Sequence, residues 1–415
     1  MIPEVWNLVS LGDVITYKKG FAFNSSSYLD SGVRIIRISD TTRNSIHNNN
    51  PVYVSESLAN NKHEYALNEG DIILSTVGSR PHLLDSMVGK AVQVPHKASG
   101  GLLNQNLVKL VPLFEYITND YLFSMLKKPR FIYFISTLVR GNANQVSITL
   151  KELFQYKFVL PPLPEQKKIA EILSTWDKAI ETVEKLIENS QQKKKALMQQ
   201  LLTGKKRFPG FDGEWKVAEL SKLCKFMKGQ GLSKDKLSDS GQFKCILYGE
   251  LYTRYSEVIR AVVNRTDHDE GIKSVSGDVL IPASTTTSGI DLANATSLKE
   301  SGVLLSGDIN ILRTDKAQVN PDFLAYVLTH GKKFELARRA QGITIIHLYG
   351  KDIKHIGVAL PSLDEQNKIV ASISSVEAET SSLSSRLTVL QREKKALMQQ
   401  LLTGKKRVCL QDGAQ

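Results

Sequence analysis

Residues 194–207 read KKALMQQLLTGKKR, and residues 394–407 read the same fourteen letters. Upstream of each copy, LPPLPEQKKI at 160–169 answers LPSLDEQNKI at 360–369, again at an offset of 200. Chance does not repeat such a stretch, and the period is too long for a solenoid. The chain therefore carries two copies of one module, each ending in the same element.

That element reads as a long helix. It opens on Pro161-Pro162-Leu163-Pro164 in the first copy and on Pro361 in the second, and proline suits a helix start rather than its interior. No further proline or glycine occurs until Gly204 and Gly404, which are placed as C-terminal stops. Between them runs a heptad. In the first copy one seam position takes Ile169, Trp176, Val183, Ser190 and Leu197, and the other takes Leu173, Ile180, Ile187, Lys194 and Leu201. In the second copy the seams are Ile369, Val376, Leu383, Leu390, Leu397 and Ile373, Thr380, Leu387, Lys394, Leu401. Eight of ten seam residues are apolar in each copy, which is coiled-coil spacing. One short domain could not cover so long a seam, so the two helices are expected to pack on each other. The intervening chain is long enough to return alongside, so antiparallel packing is expected, with a globular part at each end of a rod.

The rest of each module matches more weakly. Trp6, Leu11, Lys19, Gly20 and Gly32 answer Trp215, Leu220, Lys228, Gly229 and Gly241 at an offset of 209. Gly70-Asp71-Ile72-Ile73-Leu74 answers Gly277-Asp278-Val279-Leu280-Ile281 at 207, and Asn119-Asp120-Tyr121-Leu122 answers Pro321-Asp322-Phe323-Leu324 at 202. The falling offset puts the gaps in loops. The nearly fixed ends then share one job, and the variable parts do two different ones. The expected limits are a first globular domain at 1–160, a helix at 161–204, a second domain at 205–360, a helix at 361–404 and a basic tail at 405–415.

The globular parts read as mixed α/β (α+β) and strand-rich. Residues 33–38, 71–77, 245–248 and 278–282 form β-branched runs, with helix expected at 119–128 and 321–337. Candidate base-reading groups lie in loops after the strands. Arginine matches guanine, and Asn or Gln matches adenine, by bidentate geometry in the major groove. The first half offers Ser79 and Arg80 in STVGSR, then Arg140, Asn142, Asn144 and Gln145 in RGNANQ. The second half offers Thr285, Thr286 and Thr287, then Arg338, Arg339 and Gln341. Lys18, Lys19, Lys225 and Lys228 suit phosphate contacts.

Charge points the same way. Lys plus Arg is 54 against 42 Asp plus Glu, a formal net charge of +12. Such a balance favours a polyanionic partner. Cys224, Cys245 and Cys409 are scattered, so neither a zinc site nor a disulfide framework is indicated. No run has the length of a membrane span, and MIPEVWNLVS lacks the charged and apolar regions of a signal peptide, so a cytoplasmic location is expected.

Enzyme motifs are missing. Asn50-Pro51-Val52-Tyr53 lacks the second proline of an adenine methylase motif, and Phe226-Met227-Lys228-Gly229-Gln230-Gly231 has the wrong spacing for a methyl-donor loop. Pro321-Asp322 followed by Glu335 hints at a nuclease, but Ala337 stands where a lysine is needed. No phosphate loop or HExxH spacing occurs, and no metal site is expected. The rivals to a DNA-reading subunit are a self-contained DNA adenine methyltransferase or nuclease, and a non-specific DNA-binding coiled-coil protein.

The repeated LPPLPEQKKIAEIL…KKALMQQLLTGKKRFPGFDGEW resembles the central conserved region of type I restriction–modification specificity (S) subunits, and the second copy resembles their C-terminal conserved region. GDIILSTVGS, SGDVLIPAST and YGELYTRY look like parts of their target recognition domains. The resemblance implies two recognition domains, each reading half of a split, asymmetric double-stranded DNA target. It implies a pseudo-two-fold antiparallel coiled coil that spaces them. It also implies two methylation (M) subunits using S-adenosylmethionine and two motor–nuclease, or restriction (R), subunits using ATP and magnesium. Those cofactors would belong to the partners, with none in this chain.

Overall fold

The structure, a computed structural model, describes residues 3–410 apart from 43, 81–82, 84–85 and 142–145. The two fixed elements are the helices Leu163–Leu201 and Leu363–Leu401, of 39 residues each. Each is about 60 Å long at ~1.5 Å per residue. Gly204 and Gly404 follow the helix ends at φ +68° and +72°, a left-handed conformation that closes a helix and that glycine adopts without penalty.

The chain forms two compact units, Met1–Val183 with Arg386–Gln415, and Glu184–Ser385. This division cuts both long helices, whereas the limits expected from sequence keep each helix whole. The reason is antiparallel pairing. Within the first unit the early turns of the first helix pack with the late turns of the second, so Ile169 and Leu173 share a core with Met398, Leu401 and Leu402. In the second unit Met198, Leu201 and Leu202 share a core with Ile369, Val370 and Ile373.

The heptad seam is covered along its length. Ile169, Leu173, Val183, Leu201, Ile369, Ile373, Val376 and Leu401 are buried, while Trp176, Ile180, Ile187, Leu197, Leu383, Leu387, Leu390 and Leu397 are half-buried. The polar interruptions pair with one another. In the second unit Ser190 Oγ lies 2.8 Å from Thr380 Oγ1, and Lys194 Nζ lies 2.8 Å from Glu377 and 3.1 Å from Glu257. In the first unit Lys394 bonds Asp177. Such pairs set register, because a slipped helix would strand a lysine in the seam without its partner.

The first unit's main sheet is antiparallel, in the order Ile15–Lys19, Leu107–Pro112, Ile72–Ser75, Ala91–Gln93. A smaller sheet joins Val52–Val54, Val33–Ile36 and Leu102–Leu103. The second unit repeats the plan with Cys224–Lys228, Ile309–Thr314, Asp278–Pro282 and Thr296–Leu298, and adds Val258–Ile259 at the edge. Two expected elements are shorter than their sequence pattern. The run at 33–38 stops at Ile36, because Asp40 takes the Arg37 N–H at 2.8 Å and turns the chain. The helix expected at 321–337 breaks into Pro321–Tyr326, a wide turn Val327–Gly331 and Lys333–Arg338.

Each globular part is tied shut where its helix begins. Asn7–Ser10 pairs with Lys157–Leu160, and Lys216–Glu219 pairs with Gly357–Leu360. The next residues explain why Glu-Gln recurs in both copies. Gln166, 0% exposed, accepts from Thr118 N–H at 2.8 Å and donates to the carbonyls of Tyr116 and Pro161 at 2.8 Å each. Gln366 does the same for Asn320, Gln318 and Pro361 at 2.8, 3.2 and 3.0 Å. Glu165 receives Arg407 Nε at 2.7 Å, and Glu365 receives Arg207 at 2.9 and 2.7 Å. The residues just after one long helix are thus clamped to the first turn of the other.

Candidate nucleic-acid interface

In the first unit the strand Ile72–Ser75 runs on into Val77–Gly78, which pairs with Val146–Ser147. Ser147 in turn exchanges two backbone hydrogen bonds with Arg140, at 3.0 and 2.9 Å. Two loops far apart in sequence thereby become one narrow ribbon. The second unit builds the same ribbon from Ser284–Thr285 and Ile346–His347, with Gln341 and His347 exchanging bonds at 2.8 and 2.7 Å. The bridges set an equivalence: Val77 with Ser284, Arg80 with Thr287, and Arg140 with Gln341. Gln341, rather than Arg338 or Arg339, therefore fills the Arg140 position.

Arg80 is exposed at the end of its strand-and-loop segment. Ser79 is turned to its own loop, with its N–H on Ser86 O at 2.8 Å and its Oγ 2.7 Å from Ser86 Oγ. Arg140 is exposed but pairs with Glu152. The Glu152 carboxyl is held below the usual range by the Thr149 hydroxyl first and by Arg140 next. Asn142, Asn144 and Gln145 lie outside the described residues. Thr285 is 1% exposed, with its hydroxyl 2.8 Å from that of Thr287. It braces the loop and is buried rather than exposed as its sequence reading expects, because the ribbon pairing turns it inward. Thr286 and Thr287 are exposed, and Thr287 donates to Asp291 at 2.5 Å. Arg338 is exposed at a helix end, whereas Arg339 is half-buried and donates to Asp352 O at 2.7 Å and Glu335 at 3.2 Å. That bonding makes Arg339 a brace for its helix.

The lysines divide similarly. Lys18 is held by Glu64 at 2.5 Å and lies 4.7 Å from the Tyr65 ring centre. Lys228 is exposed and sits 3.6 Å from Asp308, while Lys19 and Lys225 are exposed. An exposed ammonium beside one carboxylate exchanges partners cheaply, since such pairs contribute only ~0–1 kcal/mol.

Sequence reasoning missed a platform on the second ribbon. His347 and Tyr349 stack with ring centres 5.7 Å apart and planes 15° apart, and Lys351 lies 5.5 Å from the Tyr349 ring centre. They line a cleft of about 240 Å³ with Lys228, Asp308 and Asn310. The alternation of aromatic and basic residues over 347–351 was the available signal. Among the described residues, no group of three His, Cys, Asp or Glu side chains could hold a metal ion, and no helix is long and apolar enough to cross a membrane.

Residues 3–189 and 212–391 each match the family described as the type I restriction modification DNA specificity domain. The chain belongs to that family. Specificity subunits are also what it resembles along its whole length. It is 24% identical over 441 residues to the type I restriction enzyme MjaVIII specificity subunit of Methanocaldococcus jannaschii, covering 98% of this chain and 94% of that one. It is 26% identical over 426 residues to a protein of the same archaeon provisionally named the MjaX specificity subunit, covering 98% and 95%. The fold is shared with the S subunit of a type I restriction–modification system from M. genitalium, at a TM-score of 0.62 and 14% identity over 96% of this chain and 97% of that one. The two family matches coincide with the two repeats, so this specificity chain carries one DNA specificity domain in each half, and its role is recognition of a DNA target.

Proposed function

We propose that this chain is the sequence-reading, non-catalytic subunit of a cytoplasmic type I restriction–modification complex, and that it reads an asymmetric target in two halves. The observation that carries the reading is one ribbon built twice on a repeated scaffold, with different side chains in each copy. A common frame with diverged contact positions suits two half-sites of different sequence. Lys19, Arg80 and Arg140 in the first unit, and Lys225, Lys228, Thr286 and Gln341 in the second, are the exposed groups that contact DNA in this reading. Two methylation subunits and two motor–nuclease subunits dock on the repeated elements. S-adenosylmethionine, ATP and magnesium act on those partners.

Methylome sequencing of cells with and without the gene tests the reading. The expected result is one bipartite motif with unlike halves that vanishes with the gene. A methylome that does not change overturns it. Binding of the pure chain to duplex DNA should weaken steeply with salt, the log–log slope growing by about 0.9 for each phosphate neutralised. A flat salt response, or turnover of S-adenosylmethionine or ATP by the pure chain, also counts against the proposal.

A further inference from the structure

The two ribbons hold different chemistry at equivalent positions. Where the first unit presents Arg80 and Arg140, the second presents Thr287 and Gln341. Beyond Gln341 the chain turns through Gly342 at φ +129°, where a Cβ would lie 2.0 Å from the Ile345 carbonyl oxygen. Only glycine fits this turn. The turn lifts Ile343 into solvent at 99% exposure, with Ile345 at 50%. The hairpin is closed at its base by the Gln341–His347 bridge and anchored to Ser284–Thr285. One exposed isoleucine on a surface is ordinary. Two on a hairpin with a fixed glycine turn, beside an exposed glutamine on the reading ribbon, are a presented group. A β-branched side chain with one preferred rotamer loses little freedom when it makes a contact.

Major-groove edges separate these chemistries. Guanine shows two acceptors, which suit a guanidinium. Adenine shows an acceptor beside a donor, which suits an amide. Thymine alone shows a methyl group, which suits an apolar side chain. We propose that the second ribbon reads base edges of its half-site directly, with Gln341 on the edge of one adenine and Ile343 on the 5-methyl group of one thymine. The inference rests on the recognition role proposed above and adds the bases that these two side chains select.

The test uses the full chain bound to its methylation subunits and a duplex carrying its own methylome-defined site. Each thymine of the second half-site is replaced singly by deoxyuridine, which removes only the methyl group. The expected result is one position at which deoxyuridine weakens binding about fourfold, the worth of one buried methyl-sized group. The Ile343→Ala chain should bind thymine and deoxyuridine equally there. Gln341→Ala should lose discrimination against G·C at the adenine it reads. Deoxyuridine in the first half-site serves as the control, since neither variant should change the response to it. Both side chains are exposed, and an unchanged melting temperature checks that the variants fold. A second half-site without thymine, no deoxyuridine effect, or an effect that survives Ile343→Ala overturns the inference while leaving sequence recognition standing. Absence of any sequence preference overturns both.

Discussion

At the scale of the residue, the repeated Glu-Gln pair joins sequence to architecture most directly. Gln166 and Gln366 are 0% exposed, and each satisfies one N–H and two carbonyls of its own globular part. Replacing Gln366 by leucine keeps the bulk but leaves those buried groups without partners. The second unit should lose at least about 2 kcal/mol, at ~1–3 kcal/mol per orphaned group. Denaturant unfolding of the variant measures this, and a loss below about 0.5 kcal/mol, the usual effect of a neutral surface change, would sink the account. The groups proposed to contact DNA behave differently, because they are exposed. Arg140→Ala should cost about 1–3 kcal/mol at one base position only, whereas Lys225→Ala should weaken all sequences alike and lower the salt slope by about one. Binding measured against a set of single-base variants separates the two, and a uniform loss for Arg140→Ala would make it a phosphate contact.

At the scale of the element, the second unit's packing on its helix turns on Glu257. It lies 3.1 Å from Lys194 on the long helix and 2.5 Å from His330. Burial alone would raise its carboxyl, but the His330 hydrogen bond and the Lys194 charge outweigh it and hold the group at about 2. A carboxyl depressed in the folded state adds stability above its ordinary pKa, and that stability is lost as pH falls through the folded value. The window here runs from about 4.5 down to about 2. Glu257→Gln should cost the second unit about 2–3 kcal/mol at neutral pH and flatten its acid response across that window. Unfolding midpoints of both chains at intervals of pH check this, and parallel curves would refute it. The long helices were legible from sequence because their heptad and caps are local signals. The ribbons were not, because their bridges join Val77 to Ser147 and Ser284 to His347 across long loops. The inward turn of Thr285 follows from that pairing, and the carboxylate partners of Lys18 and Lys228 likewise come from residues distant in sequence. The break at Val327–Gly331 was hidden because its residues keep a helical apolar pattern through the wide turn.

At the scale of the whole molecule, duplication separates what is shared from what is particular. The clamps Arg407–Glu165 and Arg207–Glu365 are the same chemistry used twice, while the ribbons differ. Exchanging residues 208–360 for the same region of a relative should therefore alter one half of the target and leave the other intact. Methylome sequencing of the chimera reads this directly, and a change in both halves would refute independent reading. The clamps also fix an order of completion. The second unit is one continuous stretch, Glu184–Ser385, but the first needs Arg386–Gln415 to finish its core, with Lys128 donating to the Leu402 carbonyl at 2.8 Å. At about 5–20 residues added per second, the ribosome delivers that closing segment roughly 10–40 s after residue 183. The half that is translated first is thus the last to be sealed. Until the final turns of the chain emerge, its apolar seam around Ile169 and Leu173 stands open to chaperones, to proteases and to any other nascent chain bearing the same repeat.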